Sequence, residues 1–248
     1  MSKLFIYHPR FMESSATKKY NLIKKIYLWI LELYQQISHN QKKQSLLLRL
    51  KIIINQLESN MLENNLAAIN DLEQIAANQP EYHWLIMNAL SNFIRDRTRA
   101  PSQPKGDLTV NSSINNCQVI QAAISVIGNR NYNLHLEQAP LDLSYTDLRG
   151  VDLQGANLQH TNLYQANLSG VNLANANLTG AILTAANLES ANLHCANLSG
   201  AILSSANLDK ANLTRANLQK ANLYLASLKD AVLNYVVLQG TNLREAKL

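Results

Sequence analysis

Few side chains in this 248-residue chain are equipped for chemistry: the adjacent pair His194 and Cys195, then His160, His83 beside Trp84, and a second cysteine, Cys117. A thiol beside an imidazole could begin a nucleophilic or soft-metal site, but a structural metal needs about four ligands and a catalytic one about three. His194 and Cys195 fall at outward positions of a repeat described below, His160 lies far along the wall, and no third and fourth ligand accompany them. His83 sits inside an apolar helical pattern, the setting of a structural histidine. No phosphate-cradling glycine loop, dinucleotide fingerprint, HExxH helix or GxSxG elbow occurs. The residues therefore argue for a non-catalytic protein with no cofactor and no metal.

Charge narrows the partners. The net charge is +5, and all of the excess lies in residues 1–140, with 15 Lys and Arg against 10 Asp and Glu. Residues 141–248 carry 7 of each sign. Arg95, Arg97 and Arg99, with Lys18, Lys19, Lys24, Lys25, Lys42 and Lys43, are scattered and have little aromatic interleaving. That is a solvated surface rather than a nucleic-acid groove. Two cysteines make no disulfide framework, so a reduced, cytoplasmic setting is expected. The apolar stretch "IYLWILELY" is too short to span a bilayer and contains Glu32. It reads better as an amphipathic helix, with Ile23, Ile26, Ile30, Leu33 and Ile37 on one side, and membrane association is not expected.

The elements that position these residues fall into two halves. In the first, "SLLLRLKIIINQLES" places Leu46, Leu50, Ile53, Ile54 and Leu57 on one helical stripe. Asn60 and Glu63 have capping-box spacing ahead of a helix carrying Leu62, Leu66, Ile69, Leu72 and Ala76. "NQPEYHWLIMNALSNFIRDR" predicts another helix, with Pro80 tolerated in its first turn. Residues 98–116 are polar, with two prolines and a glycine, and predict a loop; "CQVIQAAISVIG" then predicts a short helix ended by Gly128.

In the second half one rule holds. From Leu143 to Leu248 every fifth residue is leucine, 22 times without exception. Two residues before it stand 15 Ala, 3 Thr, 3 Val and Leu141; one residue before it stand 13 Asn and the three aspartates Asp142, Asp147 and Asp152. A helix advancing about 100° per residue would scatter such leucines around its circumference. A solenoid resolves the period: each five-residue unit forms one side of a coil, with leucine and a small residue inward and the backbone paired between coils.

The motif A-(N/D)-L-x-x in register resembles that of the pentapeptide-repeat proteins. The resemblance implies a mainly β fold, a right-handed quadrilateral β-helix with four repeats per coil, preceded by an α-helical N-terminal domain. The repeats would then make about 5.5 coils, a rod roughly 26 Å long at strand-like spacing. "LAAINDLEQIAANQPEYHWLIMNALSNFIR" with "IQAAISVIGNR" resembles the helical region that precedes the repeats in cyanobacterial members. Here Tyr82 stands where an acid is expected and Asn129 where an arginine is expected. The expected division is residues 1–130 as a helical domain capping the solenoid, with a loop at about 98–116, and residues 131–248 as the β-helix, regular from 141.

Four repeats per coil stack residues twenty apart into columns. One column runs Ser144, Tyr164, Thr184, Ser204, Tyr224 and Arg244, with Ile182 and Ile202 beside it and Tyr145 and Leu225 flanking. Tyr164, Ile182, Ile202, Tyr224 and Leu225 form the candidate interaction surface, and a protein is the expected partner. Val232, Tyr235 and Val237 make a second apolar spot. The family's end-to-end pairing implies a homodimer through the C-terminal coil as a further expectation. Some members protect DNA gyrase by resembling duplex DNA; that alternative asks for a strongly acidic solenoid, which this neutral one is not.

Overall fold

The computed structural model describes residues 41–59, 61–98, 110–135 and 140–248. The amphipathic segment around residues 23–37, Arg99 and the lysines before residue 41 lie outside the described residues. The chain divides into two compact units, residues 1–52 and 53–248. Helix α1 spans Gln41–Gln56 and buries Leu47, Leu50, Ile53 and Ile54, a stripe that Leu57 continues. Leu47 takes the buried place expected for Leu46, which is half-buried.

Helix α2, Leu62–Asn78, has Met61 at its N-cap with no side-chain hydrogen bond there. Asn60, the first residue of the expected capping box, lies outside the described residues; Ser59 Oγ accepts the Met61 amide proton. Its buried stripe is Asn65, Ala68, Ile69, Leu72, Ile75 and Ala76, while Leu62 and Leu66 are half-buried. Helix α3, Pro80–Thr98, follows after one residue and buries ten side chains, among them Tyr82, His83, Leu85, Ile86, Leu90 and Ile94. Helix α4 runs Val110–Gly128, so the predicted loop ends earlier than expected and residues 110–116 are helical. Helices α2, α3 and α4 all pack on one another, with α3 buried on most of its circumference.

From residue 141 onward the backbone advances by a fixed rule. The residue before each leucine forms a parallel bridge to the one twenty positions later, from Asp142 with Asn162 to Ser227 with Lys247. Four repeats therefore complete one coil. Each bridge is isolated, so the walls consist of single bridged residues separated by turns rather than of extended strands. The expectation of a mainly β fold is corrected to that extent. The physical cause lies in the fifth residue of each unit. Residues at positions 145, 150 and every fifth residue to 245 all have positive φ, near +60° whether glycine or not. A left-handed residue in every unit turns the chain before a strand can extend.

Inside, the leucines from Leu143 to Leu223 are at most 2% exposed, and the small residues two before them are similarly buried. Burying one leucine contributes roughly 1.5–3 kcal/mol, so the ladders dominate the stability of this half. The backbone is paired between coils: Leu183 N–H donates to Ile202 O at 2.7 Å, Ala185 N–H to Ser204 O at 2.9 Å, and Ile182 N–H to Thr161 O at 2.9 Å.

The helices meet the first coil through specific polar contacts. Asn157 N–H donates to Gly128 O at 2.7 Å, and Gln121 exchanges two hydrogen bonds with the Asp152 backbone at 2.8 and 3.0 Å. Ser91 Oγ donates to Asp142 O, and Arg95 pairs with the Asp142 carboxylate at 2.7 Å. These contacts satisfy backbone groups that the first coil, having no coil beneath it, would otherwise present unpaired.

Candidate interaction surface

Four walls follow from the register, and their chemistry differs. Wall 1 carries residues 142, 162, 182, 202, 222 and 242 with the two residues after each leucine. Walls 2, 3 and 4 begin at residues 147, 152 and 157. On most walls an asparagine ladder covers the bridges. Asn192 shows the pattern: its Oδ1 accepts from His194 N–H at 3.2 Å and from Asn212 Nδ2 at 3.3 Å, and its own Nδ2 donates to Asn172 Oδ1 at 3.1 Å.

The ladder has a direction, because wherever an Nδ2 bonds to a neighbouring rung it donates toward the N-terminal coil, as Asn187, Asn207 and Asn212 do. That explains Asp142 and Asp152, which only receive, from Asn162 and Asn172 at 3.0 Å, and have no rung beneath to which they must donate. Asn157, the fourth first-coil position, is an asparagine and donates to Arg130 O at 3.3 Å. Asp147 is held by Arg149 at 2.6 Å, and that hydrogen-bonded guanidinium keeps its carboxyl below the usual carboxylate range. Asp142 and Asp152 are ladder ends and Asp147 is tied to Arg149, so the three do not form a reactive carboxylate cluster.

Wall 1 breaks the ladder. Ile182 and Ile202 bridge directly to each other, one coil apart, where the neighbouring rungs are Asn162 and Asn222. Ile202 is 41% exposed, Leu225 44% and Tyr145 42%, while Tyr164, Ile182 and Tyr224 are half-buried. Tyr145 and Tyr164 meet edge to face at 5.3 Å. In the four successive rungs "NLYQ", "ILTA", "ILSS" and "NLYL" there is no charged side chain. Tyr164 and Tyr224 stand three coils apart, about 14 Å at strand spacing, with isoleucine, threonine, serine and alanine between them. The same coils on wall 2 carry Glu189, Asp209, Lys210, Lys229 and Asp230. Sequence reasoning thus placed the five surface residues on one wall, whose four middle rungs lack charge while Asp142, Arg244 and Glu245 stand at its two ends.

The chemistry candidates disperse. Cys195 Sγ lies 3.3 Å from His194 Nε2 on wall 3, and both are half-buried. His160 is on wall 4, stacked on Tyr132 with ring centroids 5.2 Å apart, and its ring packs against Gly180. His160 and His194 are therefore on different walls. Cys117 is exposed, on α4. Among the described residues no group of three His, Cys, Asp or Glu side chains could hold a metal. His83 is buried, its Nδ1 3.3 Å from Ala76 O, and desolvation lowers its pKa. Among the described residues no helix is long and apolar enough to cross a membrane.

With the register established, comparison with known proteins is direct. The sequence model described as "Pentapeptide repeats" matches in eight copies, over residues 142–170, 172–209, 181–219 and 211–248. The chain belongs to the pentapeptide-repeat family. It is 34% identical to HetL, described as a pentapeptide-repeat protein involved in heterocyst differentiation regulation from the cyanobacterium Nostoc sp. strain PCC 7120; the match covers 42% of this chain and 54% of HetL, with a TM-score of 0.31. It is 38% identical to alr5209, a pentapeptide-repeat protein from Nostoc PCC 7120, over 38% of this chain and 74% of that one, with a TM-score of 0.34. QnrB1, described as a plasmid-mediated fluoroquinolone resistance protein, is 22% identical in a trypsin-treated form, over 43% of this chain and 59% of its own, with a TM-score of 0.20. The chain therefore spans about half the length of HetL. Comparison with curated proteins finds no match.

Proposed function

We propose that this pentapeptide-repeat protein is a non-catalytic interaction module that presents wall 1 to a protein partner. One observation carries the reading: wall 1 alone interrupts its asparagine ladder in mid-solenoid, with Ile182 and Ile202, and does so on an uncharged surface framed by Tyr164, Tyr224 and Leu225. Aromatic and apolar residues without charge are the composition of the buried centre of a protein interface. The rest of the reading is a right-handed coil of about five and a half turns, with the helices of the first half as its cap. It includes self-association through the last coil, whose inward Leu233 and Leu243 are half-buried and Leu238 exposed.

A DNA-mimicking modulator of DNA gyrase would need an acidic wall, and the balanced charge of residues 141–248 argues against it. Inhibition of supercoiling or protection from a quinolone at micromolar protein would reinstate that reading. The test of the proposal itself is a double substitution, Ile182→Asn with Ile202→Asn. It restores the ladder, so the fold should hold, and it removes the apolar centre. Quantitative affinity capture should show a partner retained by the native protein and lost by the variant. Equal retention by both would refute the assignment to wall 1.

A further inference from the structure

The residue that the interaction reading leaves unexplained is Arg130, just past the end of α4. Its side chain is only 5% exposed. Nη2 donates to Gln159 O at 2.5 Å and to the fully buried Thr161 Oγ1 at 3.0 Å. Nε and Nη1 are buried and have no hydrogen-bond partner among the described residues. No carboxylate among the described residues pairs with the guanidinium, since the ion pairs there involve Arg95, Arg149, Lys210 and Arg244.

Both of its hydrogen-bonding partners are neutral oxygens, which orient the group and do not balance its charge. Burial lowers its pKa only to about 10, so the group stays protonated at neutral pH. A charged side chain buried without a counter-ion is costly, and orphaned buried donors call for a water or an ion. A water could accept one N–H and would leave the charge uncompensated. An anion answers both needs. Nearby His83 does not supply one: an imidazole is neutral or cationic, and the positive field of Arg130 contributes to its lowered pKa.

We infer that Arg130 binds a small inorganic anion, of the charge and size of chloride, through Nε–H and Nη1–H at the junction between α4 and the first coils. The anion would tie the helical half to the solenoid by neutralising a charge that both halves enclose, since Arg130 O also receives the Asn157 side chain.

The probe is chloride itself. The full chain is melted in rising chloride, with gluconate exchanged to hold ionic strength constant. The expected result is a saturable rise of a few degrees in Tm, the signature of a ligand that binds only the native state. Arg130→Gln should abolish the rise, whereas Glu137→Gln, in a segment outside the described residues, should leave it intact. Because a poorly folded Arg130→Gln would blur that comparison, crystals of the native protein grown in bromide give an independent reading. An anomalous peak within hydrogen-bond reach of Nε and Nη1 is expected. A flat melting curve in the native protein would overturn the inference, as would an equal rise in Arg130→Gln, a rise that appears only in Glu137→Gln, or water in place of bromide.

Discussion

The direction of the asparagine ladder makes a prediction that a symmetric stack of polar residues would not. Asn192 sits in the middle of wall 3 and takes part in three hydrogen bonds, one donated to Asn172 and two accepted, from His194 N–H and Asn212 Nδ2. Each such bond contributes roughly 0.5–1.5 kcal/mol net, and the site is half-buried so water recovers part of the loss. Asn192→Ala should therefore cost about 1–3 kcal/mol. Asn192→Asp is more discriminating. It keeps both acceptances, loses the donation, and points a carboxylate oxygen at the Asn172 carbonyl oxygen. It should cost about 1–2 kcal/mol at neutral pH, and less at acid pH where the introduced carboxyl can donate again. The mirror substitution, Asp152→Asn in the same column, keeps the acceptances from Asn172 and Gln154 and should change stability by no more than about 0.5 kcal/mol. The assay is urea unfolding followed by circular dichroism, with m-values compared because solenoids can lose two-state behaviour. If Asn192→Asp and Asp152→Asn prove equally neutral, the ladder has no functional direction and Asp142 and Asp152 need another explanation.

Other outcomes follow from the turns and the buried groups. Arg215 has φ of +59°, so Arg215→Val should cost about 1–2 kcal/mol while Arg215→Gly should not destabilise, both read by chemical denaturation. Gly180→Ala and Gly200→Ala impose the same left-handed strain, at φ of +63° and +65°, but only at position 180 would the new Cβ fall 2.5 Å from the His160 ring. A larger Tm loss at 180 than at 200 is expected, with His160 driven from its stack on Tyr132. His83 has a folded pKa below its unfolded value of 6.5, so the stability it contributes is present above that value and lost as pH falls below it. His83→Gln should flatten the decline in Tm between about pH 7 and pH 5.

Much of this was legible in the sequence because the repeat is strict. Leucine at every fifth position fixes the inward face, and the four repeats per coil that the family resemblance implies set the twenty-residue register that brings Ile182 beside Ile202. The left-handed fifth residue was harder to see, since only six of those positions are glycine. Its trace is negative: Tyr145, His160, Lys210 and the others include no valine, isoleucine or threonine, the residues that tolerate positive φ least. The aspartates at 142 and 152 were visible as an exception whose reason needs the ladder's direction and the absence of a rung beneath. The helical half was read less well. Helix α4 begins in a polar stretch whose composition resembles a loop, so its start was missed. Arg130 carried no sequence signal, because its burial depends on how α4 meets the coils.

The central claim, that wall 1 is the working face, is tested most directly by site-specific photocrosslinking in the source cell. A crosslinker replaces Tyr164 or Tyr224 on wall 1, or Thr214 on wall 3 as the comparison. One shared crosslinked protein is expected from both tyrosine positions and none from position 214. Crosslinks from position 214 alone, or equal yields from both walls, would contradict the claim.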